Sequence, residues 1–281
     1  MALLDGKVVL VTGATDGLGR ALAADLARAG ATVLVHGRDA ARIAATLSEL
    51  SEVIEAGEHA GQHAAADRLR SYQADLSSLA GVRALAAAVI AAEPRLDVLV
   101  NNAGIGTSEP GGGVRQESAD GYELRFAVNY LAGYALTKLL LPLLTSSAPA
   151  RVVNVASLGQ QAIDFDDVML TAEYDGMRAY RQSKLAQILF TFDLAEELDT
   201  SQVTVSALHP ATFMPTKLSA AAPISTIAQG VEATMRQVTA PAAETAGRYF
   251  NGLEEATAND QAYDQQARRQ LRELSQKLTG L

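Results

Sequence analysis

Short, uninterrupted apolar runs alternate along this chain with Ala- and Leu-rich stretches of helical period. Val8-Val9-Leu10-Val11 and Thr32-Val33-Leu34-Val35 have the length of strands and no polar alternation, the pattern of strands covered on both faces. Between them, Leu18 to Ala29 reads as a helix stopped by Gly30. Asp39 is placed to cap a following helix that carries Ile43, Leu47 and Leu50 at helical spacing. Further strands are predicted over Leu69–Ala74, Leu96–Val100, Arg151–Ala156 and Val203–Leu208. Helices are predicted over Leu79–Ala91, Tyr122–Leu144 and Ala179–Leu198. Ser51 to Arg70, with two glycines and mixed charges, reads as a surface extension, and Gly106 to Gly113 as a glycine-rich loop. Ala211 to Ile227 reads as a loop containing Pro215 and Pro223. A helix, a short strand Arg248-Tyr249-Phe250 and a charged C-terminal helix follow.

Strand–helix alternation of this kind predicts a parallel sheet with helices on both faces and right-handed crossovers. There is no linker or internal repeat. The expectation is one α/β domain over residues 1–281, a Rossmann-type doubly wound parallel sheet, with substrate loops at about 158–178 and 211–227.

Composition narrows the chemistry. The chain has 281 residues and no cysteine, which excludes disulfides, thiolate metal sites and a cysteine nucleophile. A formal charge of −9 without a basic run argues against nucleic acid as a partner. The start Met1-Ala2-Leu3-Leu4-Asp5-Gly6-Lys7 lacks the layout of a signal peptide. The densest apolar run, Leu139 to Leu144, is far shorter than the roughly 20 residues that span a bilayer. These features predict a cytoplasmic protein with no membrane partner.

The first strand runs into Thr12-Gly13-Ala14-Thr15-Asp16-Gly17-Leu18-Gly19, which opens a helix. Glycines there allow a tight turn, and the helix N-terminus offers free N–H groups to a pyrophosphate. The spacing is G-x-x-x-G-x-G rather than G-x-G-x-x-G. After the second strand, Gly37 stands where an acid would hold the ribose hydroxyls of NAD, and Arg38 follows it. A guanidinium suits a 2′-phosphate, and Arg20 adds charge nearby, so NADP is favoured over NAD. The opposite reading makes Asp39 the ribose acid; the N-cap role suits it better.

Tyr180 and Lys184 are four residues apart on a predicted helix and so share a face. A phenol ordinarily titrates near pH 10, and a neighbouring ammonium favours the phenolate. The pair could exchange a proton with an alkoxide. The plainer alternative is a half-buried tyrosine beside a solvated lysine. Ser157 follows the fifth strand at the carboxyl edge of the sheet, where open α/β sheets bind ligands, and Asn101-Asn102-Ala103-Gly104 follows the fourth strand at the same edge. Asn129 falls within the long helix, where a solvated amide is its plain alternative.

Thr12 to Gly19, Asp75-Leu76, Asn101 to Gly104, Asn129, Ser157, Tyr180 and Lys184 together resemble the short-chain dehydrogenase/reductase family over nearly the whole chain. The resemblance implies that Tyr180 is the acid/base and that Lys184 lowers its pKa and binds the nicotinamide ribose. It implies that Ser157 orients the carbonyl and Asn129 supports a proton-relay water. Asp75 and Leu76 would contact the adenine, and Asn102, Ala103 and Gly104 would lie beside the cofactor. After strand six the family usually reads Pro-Gly, whereas this chain has His209-Pro210-Ala211-Thr212. Pro210 and Thr212 are carried over as cofactor contacts, with Thr216 near the usual cofactor-contacting threonine. Asp164-Phe165-Asp166-Asp167, Ala179 to Ala186 and the ending Leu271 to Leu281 resemble more narrowly the retinol-dehydrogenase-like branch and its bacterial relatives. Homo-oligomerisation through the Tyr122 and Ala179 helices is a family expectation.

The expected activity is hydride transfer between NADP(H) and a small-molecule carbonyl or alcohol. Phe165, Met169, Tyr174, Phe213 and Met214 suggest an apolar pocket, although loop packing would need the same residues. A catalytically silent cofactor-binding sensor is the alternative from another class, and an epimerase or dehydratase a third. No metal is expected. His59 and His63 share a helical spacing with Glu55 and Glu58, but Gly57 and Gly61 interrupt it, and Asp164, Asp166 and Asp167 fit a capped loop better than a cation site.

Overall fold

Val9, Leu10 and Val11 are fully buried because the first strand lies mid-sheet with helices on both sides. The computed structural model describes residues 2–56, 65–107, 113–218 and 222–281. Its elements run β1 (Val8–Val11), α1 (Gly17–Arg28), β2 (Thr32–Gly37), α2 (Ala40–Glu55), α3 (Ala65–Arg68), β3 (Leu69–Gln73), α4 (Leu79–Ala92) and β4 (Val98–Asn101). A π-helical turn (Phe126–Leu131) then leads into α5 (Ala132–Ser146), β5 (Ala150–Val155), α6 (Gly176–Glu197), β6 (Val203–His209), α7 (Ile227–Thr239) and α8 (Ala242–Thr245). The chain ends with β7 (Tyr249–Asn251), β8 (Glu254–Glu255), a short 3-10 turn (Asp260–Tyr263) and α9 (Gln265–Thr279).

The sheet order is β3-β2-β1-β4-β5-β6-β7-β8, with every pairing parallel except β7 with β8. This is the expected single doubly wound sheet, extended by an antiparallel edge strand that the sequence did not advertise. Strand order reverses between β1 and β4, so the carboxyl ends of those strands open a crevice. One apolar core lies under α4, α5, α6 and α9; the other lies under α1, α2 and α7.

Two expectations change. Ser51 to Glu55 continues α2 rather than starting an irregular extension, because Leu50 and Ile54 keep the helix's apolar face on the core. His59 and His63 lie outside the described residues, as does most of the Gly106–Gly113 loop. The long Tyr122–Leu144 helix is widened by one π turn centred on the residues around Asn129. Phe126–Ser146 has the length and apolar composition of a membrane span, yet most of it is buried within the fold, as in a core helix.

α9 crosses the outer face of α5 and α6. Ala267 and Leu271 are buried there, Tyr130 Oη meets Ser275 Oγ at 2.7 Å, and Tyr122 Oη donates to Leu278 O at 3.0 Å. Arg272 pairs with Asp193 at 2.7 Å and Arg268 with Glu196 at 2.6 Å. The chain's own C-terminal helix thus covers this face of α6 and of the π-helical turn.

Candidate active site

At the carboxyl end of β1 the backbone must turn sharply into α1. Gly13 takes φ 67°, a left-handed conformation that other residues rarely adopt. A Cβ on Gly19 would overlap the Gly13 carbonyl and the Asn102 amide nitrogen. Two side chains brace the turn. Thr12 Oγ1 accepts the backbone N–H groups of Asn102 and Ala103, each at 3.0 Å, and Asn102 Nδ2 donates to Thr12 O at 2.8 Å. His36 Nδ1 accepts from Gly13 N at 3.1 Å, which leaves the proton on Nε2 to reach Ala74 O at 3.2 Å. Burial holds the His36 pKa down to about 4, so the ring is neutral near pH 7.

Asp16 caps α1, accepting from Gly17 N at 2.8 Å. Its carboxylate also takes Arg42 Nη2 at 2.6 Å and Lys217 Nζ at 3.0 Å. Burial pushes its pKa up, but the hydrogen bonds from Lys217 and Arg42 outweigh this and hold it below the usual carboxylate range. Two cations thus offset the acid at the head of this turn. Asp39 caps α2 through Arg42 N at 2.9 Å, the role preferred for it from sequence. Arg20 faces Glu49 at 3.6 Å. Arg42 was missed by sequence reasoning. Its signal was its place one helical turn after Arg38, on the first turn of α2.

Asn129 is only 2% exposed, which overturns the solvated mid-helix alternative. Its Oδ1 accepts from Ile105 N at 2.8 Å, while its Nδ2 donates to Ile105 O at 3.2 Å and to Ser183 Oγ at 3.0 Å. Gly104 faces Asn129 and Lys184: a Cβ there would lie 3.3 Å from Asn129 Oδ1 and 3.6 Å from Lys184 Nζ. A side chain at 104 would fill this space.

α6 presents Tyr180 and Lys184 on one face, below the end of β5. Lys184, 2% exposed, donates to Val155 O at 2.8 Å and to Gln187 Oε1 at 3.0 Å. Burial among apolar groups lowers its pKa to about 7. Its Nζ lies 5.9 Å from the centre of the Tyr180 ring. Burial raises the Tyr180 pKa, and a hydrogen bond with Ser157 pulls it back. The expectation that Lys184 depresses Tyr180 therefore does not describe this state: burial dominates, and Ser157 supplies the opposing effect. Ser157 Oγ also accepts from Gly159 N at 3.1 Å.

The loop after β6 closes over the crevice. Thr216 packs on Gly17, with its Cγ2 3.1 Å from where a Gly17 Cβ would stand, and Leu218 O lies against Gly106. Thr212 Oγ1 bonds His209 Nε2 at 2.9 Å, and Pro210 is buried beside it. Phe213 takes φ 46°, so the left-handed turn falls two residues after Ala211. Asp75 is exposed and caps Ser77 N at 2.9 Å, while Leu76 is buried in the core. Loop packing accounts for most of the expected pocket wall. Phe165 and Met169 pack on the core, Met214 sits against Gly230, and the Tyr174 hydroxyl turns inward; Phe213 is exposed. Among the described residues there is no acidic or histidine cluster that could hold a metal.

A family model described as short chain dehydrogenase matches residues 7–224. The chain belongs to the short-chain dehydrogenase family. Human retinol dehydrogenase 14 is 37% identical over 301 residues, spanning 99% of this chain and 88% of that protein, which places the chain in the retinol-dehydrogenase-like branch of the short-chain dehydrogenases. A protein from Mycobacterium paratuberculosis, 27% identical, shares the fold with a TM-score of 0.74 over 99% of this chain and 94% of its own. A metagenomic short-chain oxidoreductase in complex with NADP is 26% identical, with a TM-score of 0.66 over 92% of this chain and all of its own. As a short-chain dehydrogenase the chain is an oxidoreductase of a nicotinamide-using family. The braced turn between β1 and α1 and the space bounded by Gly104, Asn129 and Lys184 fit such a cofactor.

Proposed function

We propose that this short-chain dehydrogenase interconverts a carbonyl and an alcohol with NADP(H), using Tyr180 as acid/base. The observation that carries the reading is the convergence of Ser157, Tyr180, Lys184 and Asn129 at the carboxyl edge of β4 and β5, facing the Gly13–Gly19 turn across the crevice.

The Gly13–Gly19 turn and the first N–H groups of α1 would hold the pyrophosphate, and Lys184 the nicotinamide ribose. When bound, the nicotinamide supplies or takes the hydride. Ser157 holds the substrate oxygen beside the Tyr180 hydroxyl. Tyr180 gives its proton to the oxygen as negative charge develops there, and accepts it back in the oxidation direction. Burial, which raises the phenol's pKa, suits a group that must stay protonated until that charge appears. Bringing the Lys184 charge closer to the phenol would ease the transfer. Asn129 fixes Ile105 on both its backbone groups, beside Lys184.

Arg38 and Arg42 support NADP over NAD. Arg42 is anchored by Asp16 and Thr15 O next to Gly37, and no acid occupies position 37. The substrate is a carbonyl or alcohol, and retinal is a rational member of a test set because of the relatives' names. A panel of such carbonyls run in parallel with NADPH and NADH tests the reading. Turnover with NADPH exceeding that with NADH at least tenfold is expected. A preference for NADH would refute the role given to Arg38 and Arg42.

A further inference from the structure

A buried charged group lies outside the site described so far. Arg125 is 0% exposed, at the head of the π-helical turn, and Glu123 is 1% exposed two residues before it. Burying such a pair is costly unless the geometry is specific, so its partners are informative. Arg125 Nε donates to Gly106 O at 2.8 Å and Nη2 to Thr107 O at 3.1 Å. Nη1 donates to Tyr174 Oη at 2.6 Å, and Tyr174 in turn donates to Glu123 Oε1 at 3.0 Å. Glu123 Oε2 accepts from Phe126 N at 2.6 Å, at the first residue of the π turn. Burial and the Glu123 charge push the Tyr174 phenol up to about 12, so it keeps the proton it donates.

Arg125 and Asn129 are four residues apart, and their side chains grip consecutive peptide units of one loop. Asn129 holds Ile105 by N–H and carbonyl, and Arg125 holds the next two carbonyls. The same guanidinium reaches the wall loop through Tyr174. Met169 ties that loop down again, its carbonyl taking Arg115 Nε at 2.9 Å and its sulfur lying 3.4 Å from Glu123 N.

We propose that Arg125, bridged to Glu123 by Tyr174, is a positioning residue that sets the Ile105–Thr107 segment of the crevice against Asn129 and locks the substrate-wall loop to it. The planar fork of arginine is required because Gly106 O, Thr107 O and Tyr174 Oη lie on different sides of one guanidinium; a lysine ammonium cannot face all of them. The effect on turnover rests on the oxidoreductase reading above, whereas the effect on the loop does not.

Two variants test it, Arg125→Lys and Tyr174→Phe; the second removes one hydroxyl and keeps the buried ring. In cofactor-free protein, hydrogen exchange at the Ile105 amide should quicken at least tenfold in both. In turnover, kcat should fall about tenfold or more, NADPH Kd should change less than threefold, and the solvent deuterium isotope effect on kcat should rise as the proton step becomes slower. A merely structural role would lower the folded fraction and leave Ile105 exchange and the isotope effect of the folded protein unchanged. Wild-type Ile105 exchange in Tyr174→Phe overturns the proposal even if no substrate is found. Quickened exchange with an unaltered kcat and isotope effect overturns the catalytic part. Absence of turnover in the wild type would count against the oxidoreductase reading and leave the exchange result to judge the clamp.

Discussion

Lys184 Nζ lies 5.9 Å from the centre of the Tyr180 ring and donates to Val155 O and Gln187 Oε1. The Tyr180 phenol and the Lys184 ammonium share a helix face, but the lysine is held by the β5 end. Its charge reaches instead toward His209, whose pKa burial and then the Lys184 charge lower to about 4. Lys184→Met should therefore raise the His209 pKa, read by NMR titration of the ring, and should reduce kcat/KM at least a hundredfold, within the range for losing a group that supports acid/base transfer. An unmoved His209 would mean that the ammonium does not sit as described.

The two buried histidines make stability depend on pH. His36 and His209 titrate near 4 in the folded protein and at 6.5 as free groups. The unfolded chain therefore binds more protons between these values, and folding free energy falls as pH drops from 6.5 to 4. Each ring should account for about 2 kcal/mol by pH 5. Urea unfolding at pH 7 and 5 measures it, and His36→Asn should flatten the slope. An unchanged slope would remove His36 from the account.

Thr12 braces the Gly13–Gly19 turn with one hydroxyl that serves Asn102 N and Ala103 N. Thr12→Val keeps the shape and leaves both N–H groups without that acceptor, so a loss of about 1–3 kcal/mol is expected in urea unfolding. Thr12→Ser should recover most of it. Equal stability of the valine variant would show that the turn does not depend on the hydroxyl.

Arg42 and Arg38 are predicted to discriminate the 2′-phosphate. Arg42→Ala should raise the NADPH KM about ten- to a hundredfold, as expected for losing a charged hydrogen bond of roughly 1.5–3 kcal/mol, and leave the NADH KM nearly unchanged. Equal changes for both cofactors would place Arg42 in the structural support of Asp16 alone.

The sheet was legible because β1, β2, β4, β5 and β6 are apolar runs bounded by glycine, acid or proline, and such runs are forced to the interior. Tyr180, Lys184 and Ser157 were legible because a spacing of four on a helix and a place after a strand are local facts. Asn129 was found, but not its burial, since a π turn depends on what packs against the helix rather than on the residues within it. Arg125 and Glu123 drew no reading from the sequence for the same reason: their partners Gly106, Thr107 and Tyr174 are far away along the chain. The Tyr174 and Met169 side chains read as pocket lining and turned out to anchor the loop, because an apolar wall and a packed loop use one alphabet. The charged pattern of α9 predicted a helix but not that Ser275 would meet Tyr130 of the π-helical turn.

The central claim is that the Tyr180 hydroxyl carries the proton. Tyr180→Phe removes that atom and keeps the ring in its place on α6. With a carbonyl that the wild type reduces, NADPH oxidation followed at 340 nm should fall at least a hundredfold in the variant while NADPH still binds with a Kd within about threefold of wild type. Turnover by Tyr180→Phe at the wild-type rate would contradict the account.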